Sequence, residues 1–233
     1  MKALLTALFV AVTASAFAQQ VIDVDKADNI PLNSFYTVSG SPVVTARFVR
    51  LVNGTPYFNE KWMKGVALSA NGDRYRSPKV RLDLLDNQLY FLNDKEQEFV
   101  CTTPMKEVTL TDTSSGTAYH FVHASSMPLS PGKKGWYQVL VKGKVPLYRY
   151  FTKILNETMP YGSSVSEQKI TTSEEFLIGY NGALHSTRKL KDVPAILSNK
   201  RGELEKYMDA DVMKTGTTAE KMTALVTYYN SLL

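Results

Sequence analysis

Three Asn-Gly pairs, at Asn53-Gly54, Asn71-Gly72 and Asn181-Gly182, constrain what this chain can fold into more than any other feature of its sequence. Asn and Gly tolerate the positive φ angles of a two-residue type I′ turn, so each pair marks a point where two strands can reverse directly onto each other. Further turn chemistry at Asp86-Asn87, Asn93-Asp94, Ser114-Ser115-Gly116 and Gly132-Lys133-Lys134-Gly135 cuts the stretch into short runs. Those runs alternate. In Lys79–Leu84, Val80, Leu82 and Leu84 fall on one face, while Arg81 and Asp83 fall on the other, the period of a half-buried strand. Leu89–Leu92, Glu98–Thr102, Lys106–Thr111 and Thr117–Val122 continue the pattern with β-branched and aromatic residues. Connections this short favour sequence neighbours lying side by side, so Trp62–Phe121 reads as one antiparallel meander.

The rest of the chain extends this plan. Val43–Val52 reads as a central strand, apolar on both faces. Trp62, beside Met63 and Val66, is expected in the core rather than as a platform for a sugar or base. After a loop broken by Pro128 and Pro131, Trp136–Lys142 and Lys144–Leu155 form a hairpin around Gly143, with Tyr148 and Tyr150 suited to the boundary between core and water. Residues 159–166 are turn-like. Lys169–Thr172, Glu174–Tyr180 and Ala183–Lys189 then resume strand patterning around the third Asn-Gly pair. From Asp192 the period changes to that of helices. Asp192 with Pro194 signals a helix start, Leu204, Tyr207 and Met208 form a stripe, and Thr217 with Glu220 forms a capping box ahead of Met222, Leu225, Val226, Tyr229 and Leu232. Helices this short are stable only when docked. The expected architecture is therefore mainly β, a β-rich α+β fold: an antiparallel meander forming a twisted sheet or open barrel, with short C-terminal α-helices packed on it.

Six runs carry a resemblance. Pro56–Val66, followed by Asn71-Gly72-Asp73-Arg74-Tyr75, together with Val80–Asn87, Thr103-Pro104-Met105, Glu203–Tyr207 and Tyr228–Leu232, resembles a family of secreted β-rich proteins of unknown function from Bacteroidetes-type bacteria. The resemblance spans most of the chain after residue 18. It implies export and a β-rich build, and it assigns no catalytic or binding residues.

Residues 1–18 read as a cleavable signal peptide: Met1-Lys2 gives a basic start, Ala3–Ala14 is apolar and short, and Ala16-Phe17-Ala18 is a small-x-small cleavage site. The expected organisation is then a partly ordered lead-in over 19–40, a β domain over 41–191 and a helical segment over 192–233. The exported part, about 215 residues, is long enough to bury roughly 70% of its unfolded surface without disulfides. A formal charge of +5, spread without a long basic run, argues against nucleic acid as a partner. The outward faces carry Arg81, Asp83, Arg149 and Lys153 where a membrane barrel would need an apolar band, so no transmembrane span is expected once the signal is removed.

Chemistry-bearing residues are few. His120 and His123 are three apart, which on a strand sends them to opposite faces, and His185 is remote. Cys101 lies within a strand pattern and reads as a small buried residue. Asp83, Asp86, Glu96 and Glu98 could supply the paired carboxylates of a glycosidase, although Arg81 and Asp83 on one face are explained more simply as an ion pair. Asp23–Asp28 lacks the glycine and the glutamate of a calcium loop. No nucleophile elbow, phosphate loop or dinucleotide fingerprint is present, and no metal or cofactor is expected. The leading expectation is a non-enzymatic periplasmic or secreted domain that binds an unknown protein or envelope ligand or acts as a scaffold; an extracytoplasmic hydrolase or carbohydrate-acting enzyme is the alternative, and a hydrophobic-ligand carrier a third. Amino-terminal sequencing of the protein recovered from its native envelope is expected to begin at Gln19; a retained Met1-Lys2 would remove the export reading.

Overall fold

The computed structural model describes residues 40–42, 49–162 and 165–233. The expected signal peptide, the lead-in before Gly40 and the first part of the Val43–Val52 strand lie outside the described residues. The strands are β1 (Gly40–Pro42), β2 (Val49–Asn53), β3 (Met63–Ser69), β4 (Arg74–Leu82), β5 (Leu89–Leu92), β6 (Glu98–Cys101), β7 (Met105–Thr111), β8 (Ala118–His123), β9 (Trp136–Val141), β10 (Leu147–Thr158), β11 (Ser166–Tyr180) and β12 (Ala183–Thr187). They form one open sheet in the order β1-β6-β5-β4-β3-β7-β8-β9-β10-β11-β12, with β2 attached to β11. The helices are α1 (Val193–Ile196), α2 (Arg201–Met208) and α3 (Thr218–Ser231). None of the described helices is long and apolar enough to cross a membrane.

The mainly β, antiparallel plan holds, with two departures from a strict meander. β7 turns back to pair with β3 rather than β6, so the β3–β6 hairpins are left on one side and β7–β12 grow from the other. β2 runs parallel to β11, Ser166 opposite Val49. Glu167–Lys169, which pair with β2, and Phe176–Ile178, which pair with β12, also pair with β10, so β2 and β12 share the edge of β11 that faces away from β10.

Each Asn-Gly pair resolves differently. Asn181-Gly182 is the expected type I′ turn, with φ of 52° and 76° and Tyr180 opposite Ala183. At Asn71-Gly72 only Gly72 is at positive φ, and Gly72 N–H donates to Ser69 O at 3.1 Å while Ser69 and Asp73 close the loop, a three-residue turn ending in a glycine bulge. Asn53-Gly54 closes no hairpin at all. Its strand is taken by β11, and Gly54, at φ 80°, lies where a Cβ would collide with the carbonyl oxygen of Ile170. Glycine is required there twice over.

The alternation seen in Lys79–Leu84 carries through the sheet and builds its cores. Val80, Leu82, Phe91, Met105, Val108, Leu110, Phe121 and Trp136 are buried together inside the curl formed by β3–β9. β4 slips by one residue against β3 between Ser77 and Val80, at Pro78, and this bulge bends the strand where the curl begins. Farther along, Val141, Leu147, Phe176 and Ile178 turn to the helices, which cover them with Val193, Leu197, Leu204, Met222, Leu225, Val226 and Tyr229. The capping box is formed as its sequence requires: Thr217 Oγ1 accepts from Glu220 N at 3.2 Å, and Glu220 Oε2 accepts from Thr217 N at 2.7 Å. At the far end of α3 the side chain of Asn230 pairs both ways with the main chain of one residue of the β9–β10 turn, accepting from Val145 N at 2.9 Å and donating to Val145 O at 2.8 Å.

Residues 54–58 form a strap between distant strands. The strap leaves β11 at Gly54 and bonds to the end of β4, with Phe58 N–H on Leu82 O at 2.8 Å and Leu84 N–H on Pro56 O at 2.9 Å. Lys153 of β10 donates to the carbonyls of Thr55 at 2.8 Å and Tyr57 at 2.9 Å. Phe58 enters the curl edge-on to Phe121 and Tyr119, both 4.9 Å away, and to Phe151 at 5.7 Å.

Gly54→Ala is expected to lower stability by about 2 kcal/mol or more, because it adds both a backbone conflict and a collision. Asn230→Ala, which leaves a part-buried peptide unpaired, should cost roughly 1–3 kcal/mol. Urea unfolding of the two variants beside the parent checks both; an unchanged midpoint for Gly54→Ala would show that the strap does not hold the curl.

Candidate functional site

The three histidines do not meet. His120 and His123 pair across to Val139 and Trp136 respectively and so face opposite sides of the sheet, as their spacing requires. His123 hydrogen-bonds Ser125 Oγ at 2.8 Å and lies edge-on to Trp136. His185 Nε2 sits 3.1 Å from Tyr180 O. His120 has the most suggestive surroundings: Thr109 Oγ1 lies 3.0 Å from Nδ1 and Glu107 Oε2 lies 3.5 Å from Nε2. The three side chains follow the order hydroxyl, imidazole and carboxylate of nucleophilic catalysis. They stand on the outer face of the β7–β8 ladder, where main-chain N–H groups are committed to strand pairing and cannot form an oxyanion hole. Burial holds both His120 and His123 below the usual imidazole range; the positive charge of Lys142 adds to this at His120, while Glu107 opposes it.

Cys101 is half-buried on β6, with its Sγ 3.6 Å from Thr103 O, and burial pushes its thiol up, away from reactivity. Among the described residues no group of three or more His, Cys, Asp or Glu could hold a metal ion.

The carboxylate expectations change. Arg81 does not pair with Asp83. Its Nη2 bonds Glu98 Oε1 at 2.8 Å on the neighbouring hairpin, and Asp83 turns inward, only 4% exposed. The reason is local: β4 ends at Leu82, so strand alternation no longer governs Asp83. Its Oδ1 accepts from Leu85 N at 2.7 Å and Asp86 N at 2.8 Å, fixing the hairpin loop as an Asx turn. Glu96 forms an exposed ion pair with Lys79 at 2.5 Å.

Trp62 also departs from expectation. Neighbours on a strand face opposite ways, and Met63, 1% exposed, occupies the core position. Trp62 is left half-buried outside, where the Arg81 guanidinium lies over its ring at 4.2 Å and over Tyr57 at 3.6 Å. Tyr90 closes the group edge-on to Tyr57, and burial, with help from Asp83, pushes its phenol up to about 12. This stack went unseen in the sequence because Tyr57 reaches it only by way of the strap.

The tyrosines of β10 divide. Tyr148 is buried, while Tyr150 packs on Tyr137 and donates to Lys134 O at 3.0 Å. Beneath the same loop Glu175 bonds Lys133 and Ser186; burial opposes its charge, yet these donors hold its carboxyl below the usual range.

Two concavities bear on binding. Inside the curl, between Val80, Phe91, Cys101, Met105 and Val108, the free space is about 20 Å³, room for about one water and not for an acyl chain. A much larger open cleft, about 510 Å³, lies where the 124–135 loop, the β9–β10 turn, the β11–β12 turn and α3 converge. Its walls include Leu129, Pro146, Tyr180 and Tyr229, with Asn199 accepting from the Tyr229 hydroxyl at 2.7 Å. Glycines at 143, 179 and 182 line it too, so main chain is brought to the surface of the cleft.

The exposed apolar surface lies elsewhere. Of nine exposed large apolar side chains among the described residues, seven belong to β2 and the outer part of the β10–β11 hairpin, with Ile154 52% and Met159 66% exposed. Comparison with known proteins finds no match to this chain, whether family model, curated protein or solved structure.

Burial is the largest influence on Asp83 and raises its carboxyl above the usual range, against the pull of the two N–H donors. A carboxyl that binds its proton more tightly when folded contributes stability below its unfolded pKa, and that contribution is lost as pH rises through the folded value. Asp83→Asn keeps an oxygen for the two donors. It is therefore expected to gain stability relative to the parent at pH 7 and to lose that advantage at pH 3, as measured by urea midpoints at both; a variant destabilised at pH 7 but not at pH 3 would show that the charge itself is needed.

Proposed function

We propose that this protein is an exported, non-enzymatic binding domain of the periplasm or the extracellular space, and that it holds a protein or envelope ligand in the cleft between the 124–135 loop and α3. The observation that carries the reading is the cleft itself. It combines about 510 Å³ of open volume with apolar walls, a small set of polar groups and glycine-lined main chain, the composition of a site that orients a ligand. The elements around it are tied down independently, by Asn230 on Val145, by Gly179 N–H on Pro146 O at 3.0 Å and by Tyr229 on Asn199, so the site is preformed. Membership of the secreted β-rich family from Bacteroidetes-type bacteria is part of the same proposal and rests on the sequence motifs alone.

The hydrolase alternative draws on Thr109, His120 and Glu107. These residues lie on a sheet face, away from the cleft, and the 3.5 Å contact to Glu107 is longer than a hydrogen bond that would orient a catalytic imidazole. The carrier alternative would need an interior many times larger than the space found beside Cys101.

Mass spectrometry of molecules that co-purify with the protein from its native envelope is expected to identify a species that is lost from Pro128→Arg, which places a charged side chain at the exposed cleft wall, while the melting temperature is kept. The same species retained at full occupancy by Pro128→Arg would remove the cleft as its site.

A further inference from the structure

The outer half of β10 is an open edge. β9 pairs only with Leu147–Tyr150, whereas β11 accompanies β10 as far as Thr158, so residues 151–158 have a strand on one side and, among the described residues, none on the other. An edge of this length presents a row of main-chain donors and acceptors, and proteins ordinarily guard such edges with proline, bulges or short strands. This stretch has no proline, and its β11 ladder is unbroken from Leu147 to Thr158. It also carries apolar side chains in water, Ile154 at 52% and Leu155 at 39% exposure.

We infer that this edge is an interface between two copies of the chain, paired antiparallel through β10 about a two-fold axis at Leu155. The register follows from charge. Lys153 and Glu157 are the only charged residues between Phe151 and Thr158, they have opposite sign, and each stands two positions from Leu155 on the same strand face. A two-fold axis at Leu155 therefore sets Lys153 of each copy opposite Glu157 of the other, twice, with Leu155 facing its own counterpart. Lys153 has a donor to give: two of its three N–H groups are used by the carbonyls of Thr55 and Tyr57, and among the described residues no carboxylate lies within ion-pair distance of it. Glu157 is exposed and is held within its own chain by Gln168, at 3.1 Å, and by Ser166. The pairing consumes both open edges, so it closes at two copies instead of growing into a filament. A lipid surface suits the arm less well, because Glu157 and Glu167 flank the hairpin tip and repel anionic headgroups. The interface lies apart from the cleft and does not rest on the binding reading above.

Sedimentation velocity of the purified protein at micromolar to 100 µM concentration should show twice the mass of the chain. Glu157→Lys sets like charges against Lys153 and should raise the dimer dissociation constant about tenfold or more, whereas Glu205→Lys on α2 should leave it unchanged. Leu155→Cys should oxidise to a disulfide-linked dimer far faster than Ile154→Cys, because only position 155 faces itself. A monomer at 100 µM would overturn the proposal. So would a dimer weakened equally by the two lysine substitutions, or equal cross-linking rates at 154 and 155.

Discussion

The ammonium group of Lys153, shared between the carbonyls of Thr55 and Tyr57, is the contact on which the shape of the sheet most depends. A sheet of this many strands has far more apolar surface on one face than solvent tolerates, and it must either pack on another layer or curl over itself. Here it does both. The helices supply the second layer over β9–β11, while β3–β9 curl around Phe121; β9 and β10 run through both regions, and the strap from Gly54 to Phe58 ties them together a second time. Burial draws the Lys153 ammonium below its usual range, and the nearby charge of Asp83 partly offsets this, so the clamp is a half-buried cation held largely by main-chain oxygens.

Alternation along the sheet thus serves two different interiors with one pattern. The even and odd positions of β10 show this plainly. Leu147 faces the helices and Phe151, on the same side four residues later, faces the curl, while Tyr148 and Tyr150 look to the 124–135 loop. That loop is fastened from below by the Tyr137 hydroxyl, which donates to Lys133 O at 3.0 Å, and by Lys133 on Glu175. Its far side is a wall of the cleft, so the polar contacts under the loop determine where that wall stands.

What the sequence made legible was whatever depends on near neighbours. The strands around Val80, Leu82 and Leu84, the Asn181-Gly182 turn and the Thr217–Glu220 capping box are each set within a few residues, and each stands where its pattern places it. The opposite facing of His120 and His123 follows from the same rule. The features that escaped depend on distant partners. Nothing near Asn53-Gly54 signals that β11 will claim β2, and nothing near Met105 signals that β7 will pass over β6 to reach β3. Trp62 and Asp83 were misplaced for the opposite reason, a local rule applied one residue too far: one of the pair Trp62-Met63 had to face outward, and Asp83 lies just past the end of its strand. The cleft could not be read at all, because its walls come from five segments whose convergence is purely tertiary.

The ladder between β10 and β11 runs without a break in register from Leu147 opposite Ile178 to Thr158 opposite Glu167, yet its two ends live in different solvents. At the inner end both residues are 0% exposed, and opening those hydrogen bonds requires the helical layer to lift away. At the outer end the strand is bare on both faces. Amide protons along this one hairpin should therefore trade with deuterium over a continuous range of rates, from those of global unfolding to those of a fraying ribbon, giving a graduated scale of local stability within a single structural element.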